Sequence, residues 1–255
     1  MLGLVVLATL LTSLVACSPV SEKETQRTGD DPRAGTAHRE TTAAAVAWDY
    51  VALGDSLAVG VGANQGYVDR YTQHLRSDTG ARVEVANLGV SGQTSSQLLA
   101  TLRNDPSMRR AIGGAEVVTF NIGINDLGHA SRSYENRSCG GAEDERCLRE
   151  AVEVVAGNWD AIVREILSLR STEEAVIRTA GLGYTPRVDG VFEPYLAEVN
   201  RRIAASAADN GIPYAEVRLG GDGMSSDGVH PNDEGYKLIA DKLRKLGYEP
   251  LGPRR

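Results

Sequence analysis

From Trp48 onward the chain alternates between two kinds of segment, and that alternation narrows the possible folds more than any other feature. One kind is a short apolar run that stops at a turn-forming residue. Tyr50-Val51-Ala52-Leu53 runs into Gly54, Val83-Glu84-Val85-Ala86 into Asn87, and residues 117–122 into Gly123. Residues 175–179 and 214–217 have the same character. Runs of this length and composition read as strands, mostly buried on both faces. The other kind carries apolar residues at helical spacing, over residues 67–77, 95–103, 148–169, 195–208 and 236–246. Strands joined through helices need right-handed crossovers, which give a parallel sheet covered on both sides. The expected fold is therefore α/β, a three-layer sandwich with a five-stranded parallel sheet between helices, occupying residues 47–255. Ligands of such sheets bind beyond the carboxyl ends of the strands, so functional residues should directly follow strands.

Four blocks meet that requirement. Gly54-Asp55-Ser56-Leu57 follows the first strand, Asn87-Leu88-Gly89 the second and Gly123-Ile124-Asn125-Asp126 the third. Asp227-Gly228-Val229-His230-Pro231 lies between the fifth strand and the last helix. A serine is a weak nucleophile until a neighbouring base takes its proton, which a histidine does near neutral pH. Asp227 precedes His230 by three residues, close enough in a turn to hold the imidazole tautomer. The backbone N–H groups of Ser56 and Gly89, with the Asn125 amide, are candidates to bind a developing oxyanion. Each residue has a plain structural use as well: Ser56 as a helix cap, Asn125 in a turn, Gly89 for a tight backbone, His230 on the surface before a proline. Four such residues in order, each just beyond a strand, favour the joint chemical reading. Asp55 and Asp126 read as structural, bonding nearby backbone.

These blocks resemble those of the SGNH, or GDSL-type, esterase and lipase family, named for the Ser, Gly, Asn and His they carry. The resemblance extends over residues 50–246. It implies a flavodoxin-like arrangement of the sheet, with Ser56 as nucleophile, His230 as general base, Asp227 as its partner, and Ser56, Gly89 and Asn125 around the oxyanion. No metal or organic cofactor is implied. The implied reaction is acyl transfer from an ester to water through an acyl-enzyme, on a small-molecule, lipid or acylated-glycan ester. Two other readings use the same residues: acyl transfer to a sugar hydroxyl, or a surface-anchored glycan- or lipid-binding protein that has lost turnover. None of the Ser, His or donor residues is missing, which weighs against lost turnover. Residues 127–147, next to Asn125, are expected to form one wall of the cleft, with His129 at its rim. Their polar composition, with Tyr134 as the sole aromatic, favours small or amphiphilic esters over a deep lipid groove.

Competing motifs are weak. No Gly-x-Ser-x-Gly occurs, so the nucleophile elbow of α/β-hydrolases is unsupported. The glycines at 60, 62 and 66 are spaced one residue too widely for a dinucleotide loop and read as turn formers. A metal site built on His129 and His230 lacks a ligand cluster. His38 and His74 read as solvated.

Composition bears on location and partners. The 34 acidic residues outnumber the 27 basic ones, leaving a net charge of −7, which lacks the cationic footprint of a nucleic-acid binder. Three cysteines are too few for a disulfide-built miniprotein. Residues 2–17 carry no charge and are too short to span a bilayer comfortably, as a secretory signal would be. The run ends in Leu14-Val15-Ala16-Cys17, which resembles the bacterial lipobox. The expectation is a signal peptide over residues 1–16, a lipid on Cys17, and a flexible polar tether over 17–46. The protein would then sit on the outer face of a bacterial cell membrane, or be secreted. It would act as a monomer and touch the membrane through the anchor alone. In an oxidising compartment Cys139 and Cys147 are expected to pair, with two free thiols as the alternative.

Overall fold

The computed structural model describes residues 46–183 and 190–252. The signal peptide, Cys17, His38 and all but the last residue of the tether lie outside the described residues. The five strands are β1 (Ala47–Gly54), β2 (Arg82–Asn87), β3 (Val117–Asn121), β4 (Val176–Ala180) and β5 (Tyr214–Ala215). All neighbouring pairs are parallel, in the order β2-β1-β3-β4-β5. The chain leaves β1 for one side of the sheet, then jumps back past it to β3. The reversal lies between β1 and β3, the point where an open α/β sheet parts its crossovers and leaves a crevice.

Successive side chains along β1 face opposite ways and build two cores. Tyr50 and Ala52 pack with Tyr67, Tyr71 and Leu75 of α2 (Tyr67–Thr79) and with Tyr236, Ile239 and Leu243 of α8 (Asp233–Lys245). Val51 and Leu53 belong to the other core. There α3 (Ser95–Asn104), α4 (Pro106–Gly114), α6 (Arg146–Leu169) and α7 (Glu193–Asp209) contribute Leu98, Ile112, Ile162 and Val199. Trp159 of α6 stacks near Phe120 of β3 at 4.9 Å between ring centroids and donates its indole N–H to Ile122 O. Burying a large aromatic while satisfying its one donor anchors that layer to the sheet.

The structure adds three helices that the sequence pattern leaves unread. In α4 only Met108 and Ile112 are buried, too few for a visible period. Asp105 starts it, accepting from the Ser107 and Met108 N–H groups ahead of Pro106. The others are α1 (Ser56–Val59), one turn long, and α5 (Ile124–Glu135), which buries only Leu127 and Ala130. β5 is two residues shorter than expected. A disulfide joins Cys139, beyond the end of α5, to Cys147 in the first turn of α6.

At the amino end of the sheet, Asp78 of α2 accepts two N–H bonds from Arg244 of α8, at 2.6 and 2.7 Å, and the Tyr248 hydroxyl at 2.6 Å. The Arg244 guanidinium holds the Asp78 carboxyl down to about 2. His74 is not solvated as the sequence suggests, because Asp241 of α8 faces it at 2.9 Å.

Candidate active site

Ser56 stands where β1 ends. Gly54 makes the exit possible with φ of +139°, a conformation that favours glycine, and a Cβ there would meet Asn121 O. Asp55 caps α1, accepting from Leu57 N–H at 2.9 Å, so the helix cap is Asp55 and Ser56 is the first helical residue. The seat is nearly dry: Asp55 is fully buried and Ser56 almost so. Burial pushes the Asp55 carboxyl up to about 6. The tyrosine Tyr236, from α8, donates to Val61 O at 2.8 Å and ties the end of α1 to the far helix.

His230 approaches from the loop between β5 and α8. Its Nε2 is 3.0 Å from Ser56 Oγ, and its Nδ1 is 2.7 Å from Asp227 Oδ2. The second oxygen of Asp227 accepts the N–H groups of Val229 and His230 and the Ser225 hydroxyl. The His230 backbone N–H and then its ring hold this carboxyl well below the usual carboxylate range. An ionised carboxylate only accepts, so Nδ1 carries the imidazole proton and Nε2 is left to accept from Ser56. The same loop is stiffened by Asn232, which donates to Asp222 O and Met224 O. Behind it stands Gly62, where a Cβ would fall 2.8 Å from His230 Cβ and 2.7 Å from Pro231 O. The glycines at 60 and 62 have φ of +88° and +96° and form turns, as their spacing suggests.

Of the expected oxyanion donors, the structure brings two to the cleft. Ser56 and Asn125 line it together with His230. Asn125 sits in the first turn of α5, not in an isolated turn, and its amide donates to Gln93 O at 2.9 Å and Asp55 Oδ2 at 3.2 Å. Gly89 is the exception. Its N–H donates to Asn87 Oδ1, and a Cβ there would lie 2.7 Å from Ala58 Cβ, so this glycine lets β2 and α1 pack closely. The glycine after β2 that lines the cleft is Gly92, three residues later. It occupies the left-handed position, φ +78°, of a turn closed by Gln93 N–H to Val90 O. Its N–H and that of Ser56 have no acceptor among the described residues. The Ser91-Gly92 pair is the sequence signal for this turn.

Asp126 proves structural, as expected: it accepts from Ser95 N–H and the Ser95 hydroxyl at the start of α3. His129 is exposed and is not among the residues that line the cleft. The wall expected from residues 127–147 is narrower than that stretch, since none beyond Glu135 lines the cleft. Among the described residues no three metal-binding side chains converge.

The cleft encloses about 510 Å³. A serine hydroxyl bonded to an imidazole, itself oriented by an ionised carboxylate, is an arrangement able to attack a carbonyl. Similarity to known proteins agrees. LipC, a spore germination lipase of Bacillus licheniformis, is 29% identical over 213 residues, covering 79% of this chain and 97% of that protein. The solved lipase Lip_vut3 from a goat rumen metagenome is 28% identical, with a TM-score of 0.72 over 80% of this chain and 99% of the other. Axe2, an acetylxylan esterase of Geobacillus stearothermophilus, matches at 20% identity and TM-score 0.60 over 83% of this chain and 99% of its own, a likeness of fold. The model of the GDSL-like lipase/acylhydrolase family matches residues 52–238, from the middle of β1 to the middle of α8. The chain belongs to that family.

Proposed function

We propose that this chain is a serine esterase that works through an acyl-enzyme on Ser56. The observation that carries the reading is the unbroken line from Asp227 through His230 to Ser56 Oγ, at 2.7 and 3.0 Å. Ser56 attacks the ester carbonyl as its proton passes to His230 Nε2. The Ser56 and Gly92 N–H groups stabilise the oxyanion, with Gly92 replacing Gly89 in that role, and the Asn125 amide joins them by giving up its longer bond, the 3.2 Å one to Asp55 Oδ2. His230 then protonates the departing alcohol and next activates the water that releases the acid. Asp227 stays ionised throughout and steadies the imidazolium. Acyl transfer to a sugar hydroxyl would use the same intermediate.

The cleft supports an ester with an apolar acyl part. Leu182, Phe192, Leu219 and Met224 line it, supplied by the segments after β4 and β5. Export and a lipid on Cys17 belong to the same proposal and rest on residues 1–17 of the sequence alone.

The test is hydrolysis of nitrophenyl esters from acetate to palmitate by the wild-type chain and Ser56→Ala. Turnover by the wild type that Ser56→Ala abolishes, with the fold retained by circular dichroism, is the expected result, and the chain-length profile measures the apolar lining. Undiminished turnover by Ser56→Ala would overturn the reading.

A further inference from the structure

The lining of the cleft is of two chemical kinds. Besides the apolar residues it includes Gly128, Ser131, Arg132 and Glu135 of α5. Arg132 is exposed there, and its guanidinium has neither a carboxylate within ion-pair distance nor a hydrogen-bond acceptor among the described residues. Several arginines away from the cleft are engaged. Arg103 and Arg109 share Glu165, Arg202 takes Glu153 and Glu198, and Arg244 takes Asp78. The cleft therefore holds a cation that the fold itself does not use.

Its position along the helix matters. Side chains on a helix lean toward its N-terminus, and Arg132 follows that rule: its Nη1 is 3.8 Å from where a Gly128 Cβ would stand. At a rise of 1.5 Å per residue, Gly128 is about 4.5 Å along the axis from Asn125. The Glu135 carboxylate accepts from Ser131 Oγ at 3.4 Å, which puts it level with a residue about 9 Å from Asn125. The cation is thus the inner charge of this helix and the carboxylate the outer one.

We propose that Arg132 is the subsite for an anionic group, phosphate or carboxylate, on the alcohol part of the substrate, within a few bonds of the scissile ester. The apolar lining takes the acyl part, and the anion lies against α5. This inference rests on the esterase reading of Ser56. A guanidinium takes either anion in a two-pronged hydrogen bond, and an exposed pair of this kind is worth a modest factor in binding.

The test compares kcat/KM for three butyrate esters below their aggregation limits: dibutyrin, dibutyroyl phosphatidic acid and the butyryl ester of glycolic acid. The wild type should prefer at least one anionic ester to dibutyrin, and the arm that shows the preference separates phosphate from carboxylate. That ratio should fall about threefold in Arg132→Ala, persist in large part in Arg132→Lys, drop further in Arg132→Glu, and shrink with added salt. A ratio unchanged in Arg132→Ala, or a wild type that prefers dibutyrin to both anions, overturns the inference. In either case, Ser56-dependent turnover of dibutyrin leaves the esterase reading standing. No turnover of any of the three overturns that reading and this inference together.

Discussion

Ser56 and His230 face each other across 3.0 Å, yet the molecule holds them in opposite ways. Ser56 is fixed by the core. It leaves the central strand, its neighbour Asp55 is fully buried, and Tyr236 clamps its helix from the far side. His230 is fixed by local polar bonds. Its loop has one 3-10 turn and a single bridge, Met224 to Pro231, and its order comes from Asp227, Asn232 and the backing of Gly62. The two carboxylates reflect the difference. Burial raises Asp55 to about 6, while hydrogen bonds depress Asp227, which is 45% exposed. Opposite shifts in neighbouring acids mark different tasks. Asp55 braces Asn125 and α1; Asp227 orients the His230 ring. The seat also has a stability cost. Its folded pKa is raised, so the contribution is full below the ordinary value of 3.8 and is lost as pH rises through about 6.

The largest effect is expected from Asp227→Asn. The new side chain keeps an oxygen for Val229, His230 and Ser225 but turns an amide donor toward Nδ1. The proton then moves to Nε2, which no longer accepts from Ser56. Kcat should fall roughly 10⁴-fold with the melting temperature nearly unchanged. A parallel loss of thermal stability would mean that Asp227 serves mainly to build the loop. On the seat side, Asn125→Ala removes one of three oxyanion donors and should lower kcat by about 10²–10³-fold, measured on the same ester. Gly62→Ala probes the backing of the loop. A Cβ at φ +96° crowded against His230 should displace the ring and lower kcat by about tenfold, with a detectable drop in melting temperature. The smallest effect is a control far from the cleft. Asp78→Asn loosens the clamp of α2 on α8 and should lower the melting temperature at neutral pH by about 2 °C, without touching kcat. Asp78 has a depressed folded pKa, so its contribution is present above 3.8 and fades as pH falls through about 2. The difference from wild type should therefore close in acid, opposite in sign to the trend set by Asp55.

Ser56 and His230 are both legible in the sequence, and what it misplaces is one donor and the short helices. Strands β1 and β3 are near-continuous apolar runs, and Ser56 and Asn125 follow them directly, so residue type and position pointed the same way. His230 was found because Asp227 and Pro231 flank it. Gly89 misleads because the glycine nearest the end of β2 packs against Ala58, while the glycine of that segment that lines the cleft is Gly92 in the next turn. Adjacency to a strand end does not reveal which N–H has been consumed by a side chain such as Asn87. The helix α5 escaped notice because it buries so little, and with it the placement of Arg132. Short helices held by a cap and two contacts, such as α4, leave no period to read.

Covalent labelling asks whether His230 activates Ser56 as a nucleophile. The folded protein is incubated with a fluorophosphonate, which loses fluoride to an activated serine oxygen, and the adduct is located by peptide mass spectrometry. One phosphonyl group on Ser56 is predicted, with labelling slowed by orders of magnitude in His230→Ala. An adduct on another serine, or labelling of Ser56 that proceeds as fast without His230, would contradict the account.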